Sequence, residues 1–455
     1  MTYFFETYGC QMNVAESASV EQLLLKRGWE KAEKADVCDL LIINTCSVRI
    51  TAETRVFGRL GLFSALKKKR AFSIILMGCM AERLHDKIKK DFPRLDYVVG
   101  MFERNQFTAI FKEIESKLNK TDYHSEFSGE DFLEKPVSGY HFAESSYIEG
   151  AFQSFIPIMN GCNNFCTYCI VPYVRGREIS RSLEAILAEV EELSEKGVRE
   201  ITLLGQNVNS YRGKDFEGKL ITFPELLRRV ARVCEKKDSI RWIRFMSSHP
   251  KDFSDELITV IAEEPRVCKL IHLPVQHGSN AVLKRMNRSY TREHYLSLVD
   301  KLRTKVPDSA LSTDILIGFP GESEEDFELT LDLMRQVQFD SAFMYHYNPR
   351  EGTRAYDFPD RIPDAVRIAR LQQVIDLQMK TSAEKMRNRV NHILPVLVES
   401  RSRNNPDELF GHTEFGEMAV LTGADPENSI GHFVKVQIQS VQGKTFRTIP
   451  IKSED

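Results

Sequence analysis

The run CNNFCTYC places Cys162, Cys166 and Cys169 in a C-x3-C-x2-C loop. Three thiols so close cannot all pair as disulfides without leaving one over, but they can bind one metal site jointly. Soft thiolates suit zinc or an iron–sulfur cluster. Structural zinc takes a fourth ligand nearby, and the next cysteine along the chain is the distant Cys234. A cluster held by three cysteines keeps one iron open for a ligand the protein does not supply, which is a catalytic arrangement. Spacing and context favour the cluster over zinc or incidental thiols.

Three further cysteines each follow a short apolar run: Cys10 in ETYGC, Cys46 in IINTC and Cys79 in LMGC. Ligand sites in open parallel sheets form outside the carboxyl ends of strands. Three cysteines from three such ends should therefore converge on one site, a second cluster. Core-facing cysteines are the bland alternative, but it leaves unexplained why all three fall at the same end. Cys38 precedes its run and reads as inert. Cys234 continues the apolar face of Leu226, Leu227, Val230 and Val233, and Cys268 is assigned nothing.

These sites need elements to position them. Strand candidates at 2–9, 39–45, 73–78 and 97–100 alternate with helical patterns from Val14, Ile50, Ala81 and Phe107. That alternation predicts an N-terminal parallel α/β domain over 1–118. The polar, acidic stretch 119–150 reads as a linker. Residues 151–378 repeat strand-then-helix six times, with strands at 155–161, 199–205, 242–248, 269–276, 310–319 and 341–348. Six βα units suggest a partial (β/α)6 barrel, with a flat doubly wound sheet as the alternative. From about Lys380 to 450, runs at 395–402, 416–423 and 432–449 suggest a small antiparallel β-barrel.

Composition sets the outer limits. The 455 residues suggest two to four domains. Sixty-two basic against 65 acidic side chains give a net charge of -3, which excludes a strongly basic nucleic-acid binder but not a locally basic groove. No apolar run reaches membrane-span length and no leader pattern opens the chain, so a soluble, cytoplasmic protein without membrane contact is expected. Nine cysteines in so long a chain are not a disulfide scaffold.

CNNFCTYC, with Tyr168 just before its last cysteine, resembles the radical S-adenosylmethionine (SAM) signature. Both triads together resemble the methylthiotransferases, radical SAM enzymes with an N-terminal three-cysteine domain, a central barrel and a C-terminal TRAM barrel. YGCQMN (8–13), NRSYTREHY (287–295) and YNPREGT (347–353) are most like the tRNA-modifying branch. The resemblance implies two 4Fe-4S clusters, with SAM on the open iron of the Cys162 cluster and cleaved there to a 5′-deoxyadenosyl radical. The second cluster holds the sulfur that is inserted. It implies as substrate N(6)-isopentenyladenosine at position 37 of a tRNA anticodon stem-loop, and as partners an external electron donor and a sulfur source. A monomer is expected. The alternatives are the branches acting on threonylcarbamoyladenosine or a ribosomal-protein aspartate, and a non-catalytic RNA-binding iron–sulfur sensor.

The barrel's strand ends should line the SAM site. By resemblance Gly205, Gln206 and Asn207 stand where the superfamily grips the SAM amine, although a glycine and two amides also read as a plain turn. Tyr168, Arg244, Ser247, Ser248 and Gln276 join them as candidate SAM contacts, as does Asp314, within a strand and able to point inward. GFPGES (318–323) lies near the adenine by resemblance. Arg175, Arg177 and Arg181 follow the cluster loop and are candidates for phosphate or carboxylate contact with the substrate. Residues 367–403 carry eight basic and three acidic side chains, a local net of +5 suited to a backbone-gripping stripe. His412 and Glu417 depart from the more basic loop usual in the family's barrel.

Overall fold

The computed structural model describes residues 1–47, 50–119, 140–143, 145–403 and 405–451. Most of the expected linker, 120–139 and 144, lies outside the described residues. The chain forms two compact units, Met1–Asn163 with Cys169–Arg181, and Asn164–Tyr168 with Ser182–Asp455.

The first unit is built on β1 (Thr2–Tyr8), α1 (Gln11–Lys26), β2 (Glu30–Lys31), β3 (Leu40–Thr45), α2 (Ile50–Leu66), β4 (Ser73–Gly78), α3 (Cys79–Asp91), β5 (Tyr97–Val99) and α4 (Phe107–Asn119). Its sheet has the order β2-β1-β3-β4-β5, every pair parallel. Every residue of β3 is buried, because helices cover both faces. Leu40, Ile42, Ile75 and Met77 pack with Leu24, Phe107 and Phe111 on one side. Leu41, Ile43, Ile74 and Leu76 pack with Val56, Leu60, Phe63 and Ile88 on the other. The period of two along each strand thus fills two cores. Helices α1 and α3 begin three and two residues before the expected starts at Val14 and Ala81, and take in the buried Met12 and Met80. The unit also holds β6 (Gln153–Pro157), β7 (Met159–Asn160), α5 (Val171–Val174) and β8 (Ile179–Ser180), with β7 and β8 antiparallel.

The second unit continues with α6 (Leu183–Glu195), β9 (Glu200–Leu204), a hairpin β10 (Arg212–Lys214) and β11 (Leu220–Thr222), then α7 (Phe223–Lys237) and β12 (Trp242–Phe245). Next come α8 (Asp255–Glu263), β13 (Leu270–His272), α9 (Asn280–Arg285), α10 (Arg292–Lys305), β14 (Ala310–Ile317), α11 (Glu324–Val337) and β15 (Ser341–His346). Ser182 caps α6 by accepting from the Ala185 amide at 3.4 Å, and Gly197 follows the helix with φ +78°. β9 pairs with β12, β13 with β14 and β14 with β15, all parallel, as a partial barrel requires. The expected strand 269–276 shortens to three residues because its continuation, LPVQ, carries Pro274 and a left-handed Gln276.

α12 (Asp364–Asn388) leads into β16 (Ile393–Arg401), β17 (Glu408–Thr413), β18 (Met418–Thr422), α13 (Pro426–Ser429), β19 (Phe433–Gln442) and β20 (Thr445–Pro450). The strands close a barrel in the order β16-β17-β18-β20-β19. One seam, β18–β20, is parallel; the others are antiparallel. Sequence reading passed over β17, whose ELFGHT has a mid-strand Gly411 and polar ends. Only glycine fits there, because a Cβ would stand 2.2 Å from the Leu397 carbonyl.

The basic run 367–403 is not a free stripe. Arg370 pairs with Glu322 and Glu324, Arg367 with Asp364, Lys385 with Asp340, and Arg389 with Glu417. Lys380, Arg387, Arg401 and Arg403 are its exposed members.

Candidate active site

Three adjacent strands bring the N-terminal triad together. Tyr8 is in register with Thr45, and Thr45 with Gly78. Cys46 and Cys79 therefore follow a registered pair directly, and Cys10 lies two residues past β1. The strand ends approach closely because two of them carry glycine. A Cβ on Gly9 (φ +154°) would meet Cys46 Cβ at 2.6 Å, and one on Gly78 (φ +99°) would meet Asn44 Oδ1 and the Thr45 carbonyl at 2.5 Å. Asn13 and Asn44, which sequence reasoning missed, lock the arrangement. Asn13 Nδ2 donates to Asn44 Oδ1 at 2.9 Å, Asn44 Nδ2 to the Asn13 carbonyl at 2.9 Å, and the Cys10 amide and thiol both reach Asn13 Oδ1. The signal for Asn13 was its three-residue step from Cys10, the spacing of a capping box; Asn44 carried none.

Electrostatics at this triad favour the thiolate at Cys10, whereas burial opposes it at Cys79. Cys10 caps α1 and Cys79 opens α3, so both sit at positive helix ends. The hydrogen bond with Cys46, and then the charge of Arg175, lower the Cys10 pKa. Burial pushes Cys79 up to about 11, with Arg175 acting against it. Arg175 is 3% exposed, and its Nη1 lies 2.9 Å from both Glu16 Oε1 and Asn160 Oδ1. Glu16, itself 1% exposed, is also 3.8 Å from Arg104. Arg175 is thus committed inside the first unit rather than open to a substrate phosphate. Arg181 is buried as well, and Arg177 is the exposed member of its run.

In the second unit, segment 285–288 clamps the middle of the CNNFCTYC loop. Thr167 donates from its amide to the Met286 carbonyl at 3.0 Å and from Oγ1 to the Arg285 carbonyl at 2.9 Å. Asn287 Nδ2 donates to the Asn164 and Phe165 carbonyls, both at 3.0 Å. Phe165 (φ +47°) and Asn287 (φ +59°) are both left-handed, a strain that bonding from both sides maintains. Cys166 is buried, and Tyr168 packs on Val282, Met286, Leu316 and Phe319.

Polar groups without partners collect past the ends of β9 and β12. Asn207 is 1% exposed; its Nδ2 donates to Asp252 Oδ2 at 2.8 Å, but its Oδ1 has no partner among the described residues. Gln206 Oε1, Ser248 Oγ and His249 Nε2 are likewise buried and unpaired. Ser247 (φ +67°) and Gln276 (φ +70°) hold left-handed backbones at strand ends. Half-buried Asp314 has Oδ2 3.7 Å from His272 Nε2. Orphaned donors and acceptors at one end of a parallel sheet fit a small polar ligand that completes them. Below them, Glu322 of GFPGES is pinned by Arg370 at 2.7 Å and His277 at 3.2 Å, which sets the turn after β14.

Arg244 is not brought to that cluster. Its Nε meets Glu200 Oε2 at 2.9 Å, and its Nη atoms donate to the Glu414 and Thr413 carbonyls at 2.6 and 3.0 Å. It shares a strand face with Trp242, which packs edge-on against Phe433 at 4.7 Å. His412 joins them, 2.9 Å from Glu200 and 2.5 Å from Glu399. Burial opposes its charge, but the two carboxylates raise its pKa to about 9. His412 therefore joins the C-terminal barrel to β9, while Glu417 pairs with Arg389 just past α12.

The donor sets fit the groups that the cysteine pattern implies. Soft, helix-end thiolates match an iron–sulfur cluster. Among the described residues no three His, Cys, Asp or Glu side chains gather tightly enough for a single ion. A cluster takes each thiolate on a different iron and does not need that. Cys38, Cys234 and Cys268 are buried, and burial raises each of their pKa values.

Residues 156–334 match the Radical SAM superfamily, residues 2–100 the uncharacterized protein family UPF0004, and residues 387–447 the TRAM domain. Fold and site together thus define a three-module radical SAM enzyme. The tRNA-2-methylthio-N(6)-dimethylallyladenosine synthase of Treponema pallidum (strain Nichols) is 75% identical over 447 residues, 98% of each chain. That of Treponema denticola is 64% identical, covering 98% of this chain and 99% of its own. That of Carboxydothermus hydrogenoformans is 42% identical over 98% of each. The chain belongs to this family, the MiaB branch of the radical SAM methylthiotransferases. Among solved structures, the radical SAM methyltransferase TsrM from Kitasatospora setae shares the fold at TM-score 0.55 and 14% identity, over 78% of this chain and 77% of its own.

Proposed function

We propose that the chain converts N(6)-isopentenyladenosine (the dimethylallyl nucleoside) at position 37 of a tRNA to its 2-methylthio derivative. The observation that carries this reading is the convergence of Cys10, Cys46 and Cys79 at adjacent strand ends, in a chain that also has CNNFCTYC. One triad alone fits radical generation; two fit radical generation plus sulfur delivery. Cys162, Cys166 and Cys169 would hold one 4Fe-4S cluster, with SAM completing its open iron, and Cys10, Cys46 and Cys79 the other. The cofactors supply C–H activation and the inserted sulfur, chemistry that side-chain acids and bases cannot perform on an aromatic C–H.

The protein's own residues bind and orient. Tyr168, Gly205, Gln206, Asn207, Ser247, Ser248, Gln276 and Asp314 are the proposed SAM contacts, and His249 enters the set through its unpaired buried Nε2. Burial, and then the charges of Arg288 and Lys251, push the His249 pKa down to about 2, so it meets SAM as neutral imidazole. Arg175 serves the N-terminal triad as a fixed counter-charge, and Arg177, with the exposed part of the 380–403 run, faces RNA phosphate. An apolar pocket for the five-carbon isopentenyl group has a ceiling of about 4 kcal/mol, roughly a thousandfold preference. The electron donor and the sulfur source are external, and the enzyme acts as a monomer. Among the described residues no helix is long and apolar enough to cross a membrane.

Anaerobically reconstituted protein should release 5′-deoxyadenosine from SAM when reduced. A reconstituted, folded protein that never does so would leave the sensor alternative in its place.

A further inference from the structure

The NRSY run (287–290) holds an arginine against Cys166. Arg288 is 9% exposed, and each of its three guanidinium nitrogens donates a hydrogen bond. Nη1 donates to Cys166 Sγ at 3.4 Å, Nη2 to the Pro274 carbonyl at 3.0 Å, and Nε to the Tyr290 hydroxyl at 2.9 Å. Tyr290 in turn donates to the Val275 carbonyl at 2.7 Å, and its ring lies beneath the guanidinium at 5.1 Å. His249 packs edge-on against that ring at 5.5 Å. Among the described residues Arg288 has no carboxylate partner. A buried guanidinium without one is costly unless another negative charge stands beside it. Among the described residues, the anionic group within its reach is the Cys166 sulfur once it ligates iron.

We propose that Arg288 is a positioning residue that tunes the reduction potential of the cluster held by Cys162, Cys166 and Cys169. This rests on the cluster assignment given above. Hydrogen bonds to ligand sulfurs and nearby charge set the potential of an iron–sulfur cluster. Reduction brings one electron from an external low-potential donor, transfers no atom, and raises the cluster's negative charge by one unit. A fixed cation donating to Cys166 Sγ stabilises the reduced form more than the oxidised one. Tyr290 holds the fork in line, and the left-handed Asn287 carries Arg288 up to the loop it also clamps.

The test is an EPR-monitored redox titration without SAM, in the Cys46→Ala background so that one cluster is read. Arg288→Gln removes the charge; Arg288→Lys keeps it and loses the fork. We expect Arg288→Gln to load iron as the parent does but to be about tenfold harder to reduce at a given potential, a downward shift of about 59 mV for one electron. Arg288→Lys should fall between. An unchanged midpoint in Arg288→Gln at parental iron content would overturn the inference. So would failure of both variants to load iron while the parent does, since Arg288 would then be holding the loop rather than tuning the cluster. A parent without a reducible cluster would remove the cluster assignment itself.

Discussion

Cys46 and Cys79 leave the sheet side by side, each directly after one member of the registered pair Thr45 and Gly78. That relationship converts a scattered sequence pattern into a single site. It also separates the roles of the two triads, which can be tested independently.

Cys166→Ala should abolish 5′-deoxyadenosine formation. Cys46→Ala should retain it, lower iron from about eight to about four atoms per chain, and yield no methylthio product. Iron analysis and nucleoside release on both variants check this. A methylthio product from Cys46→Ala would remove the second-cluster assignment.

Gly78→Ala should damage only the N-terminal site. Its Cβ would stand 2.5 Å from Asn44 Oδ1 and the Thr45 carbonyl, on a backbone with φ +99°. A cost of about 1–3 kcal/mol is expected. Thermal unfolding should register it, with iron lost from this triad while SAM cleavage persists. Full iron content would contradict the close-approach argument.

Glu16→Ala leaves Arg175 buried without its carboxylate, at an expected cost of about 3–5 kcal/mol. The loss should be smaller in cluster-loaded protein, where the thiolates still balance the charge. Equal destabilisation of loaded and cluster-free protein would mean that Arg175 does not serve the triad.

His412 predicts a pH dependence of the second unit. Its folded pKa, about 9, lies above the ordinary imidazole value, so the stabilisation it shares with Glu200 and Glu399 is fully present below about pH 6.5. It is lost as pH rises through about 9. The magnitude is about 3 kcal/mol, with Arg244 acting against it. Denaturant unfolding at pH 6 and pH 10 should show the difference, and His412→Gln should flatten it. A parallel loss in the variant would assign the effect to other groups.

The sequence made the cysteines legible because local pattern carries them: strand ends announce Cys10, Cys46 and Cys79, and spacing announces the loop. What it hid depends on distant partners. Arg175 read as a substrate contact and Arg244 as a SAM contact because their carboxylates, Glu16 and Glu200, lie 159 and 44 residues away in the chain. Asn13 and Asn44 were ordinary amides until two strand ends met. His249 acquired meaning only through burial without a partner, which no periodicity reports. β17 was missed because ring closure, rather than its own propensity, makes it a strand.

The most direct measurement offers anaerobically reconstituted protein, with SAM and a reductant, anticodon stem-loops carrying isopentenyl- or threonylcarbamoyl-adenosine, followed by digestion and nucleoside mass spectrometry. The account predicts a methylthio mass gain on the isopentenyl substrate alone. A gain on the threonylcarbamoyl substrate, or SAM cleavage with no gain on either, would contradict it.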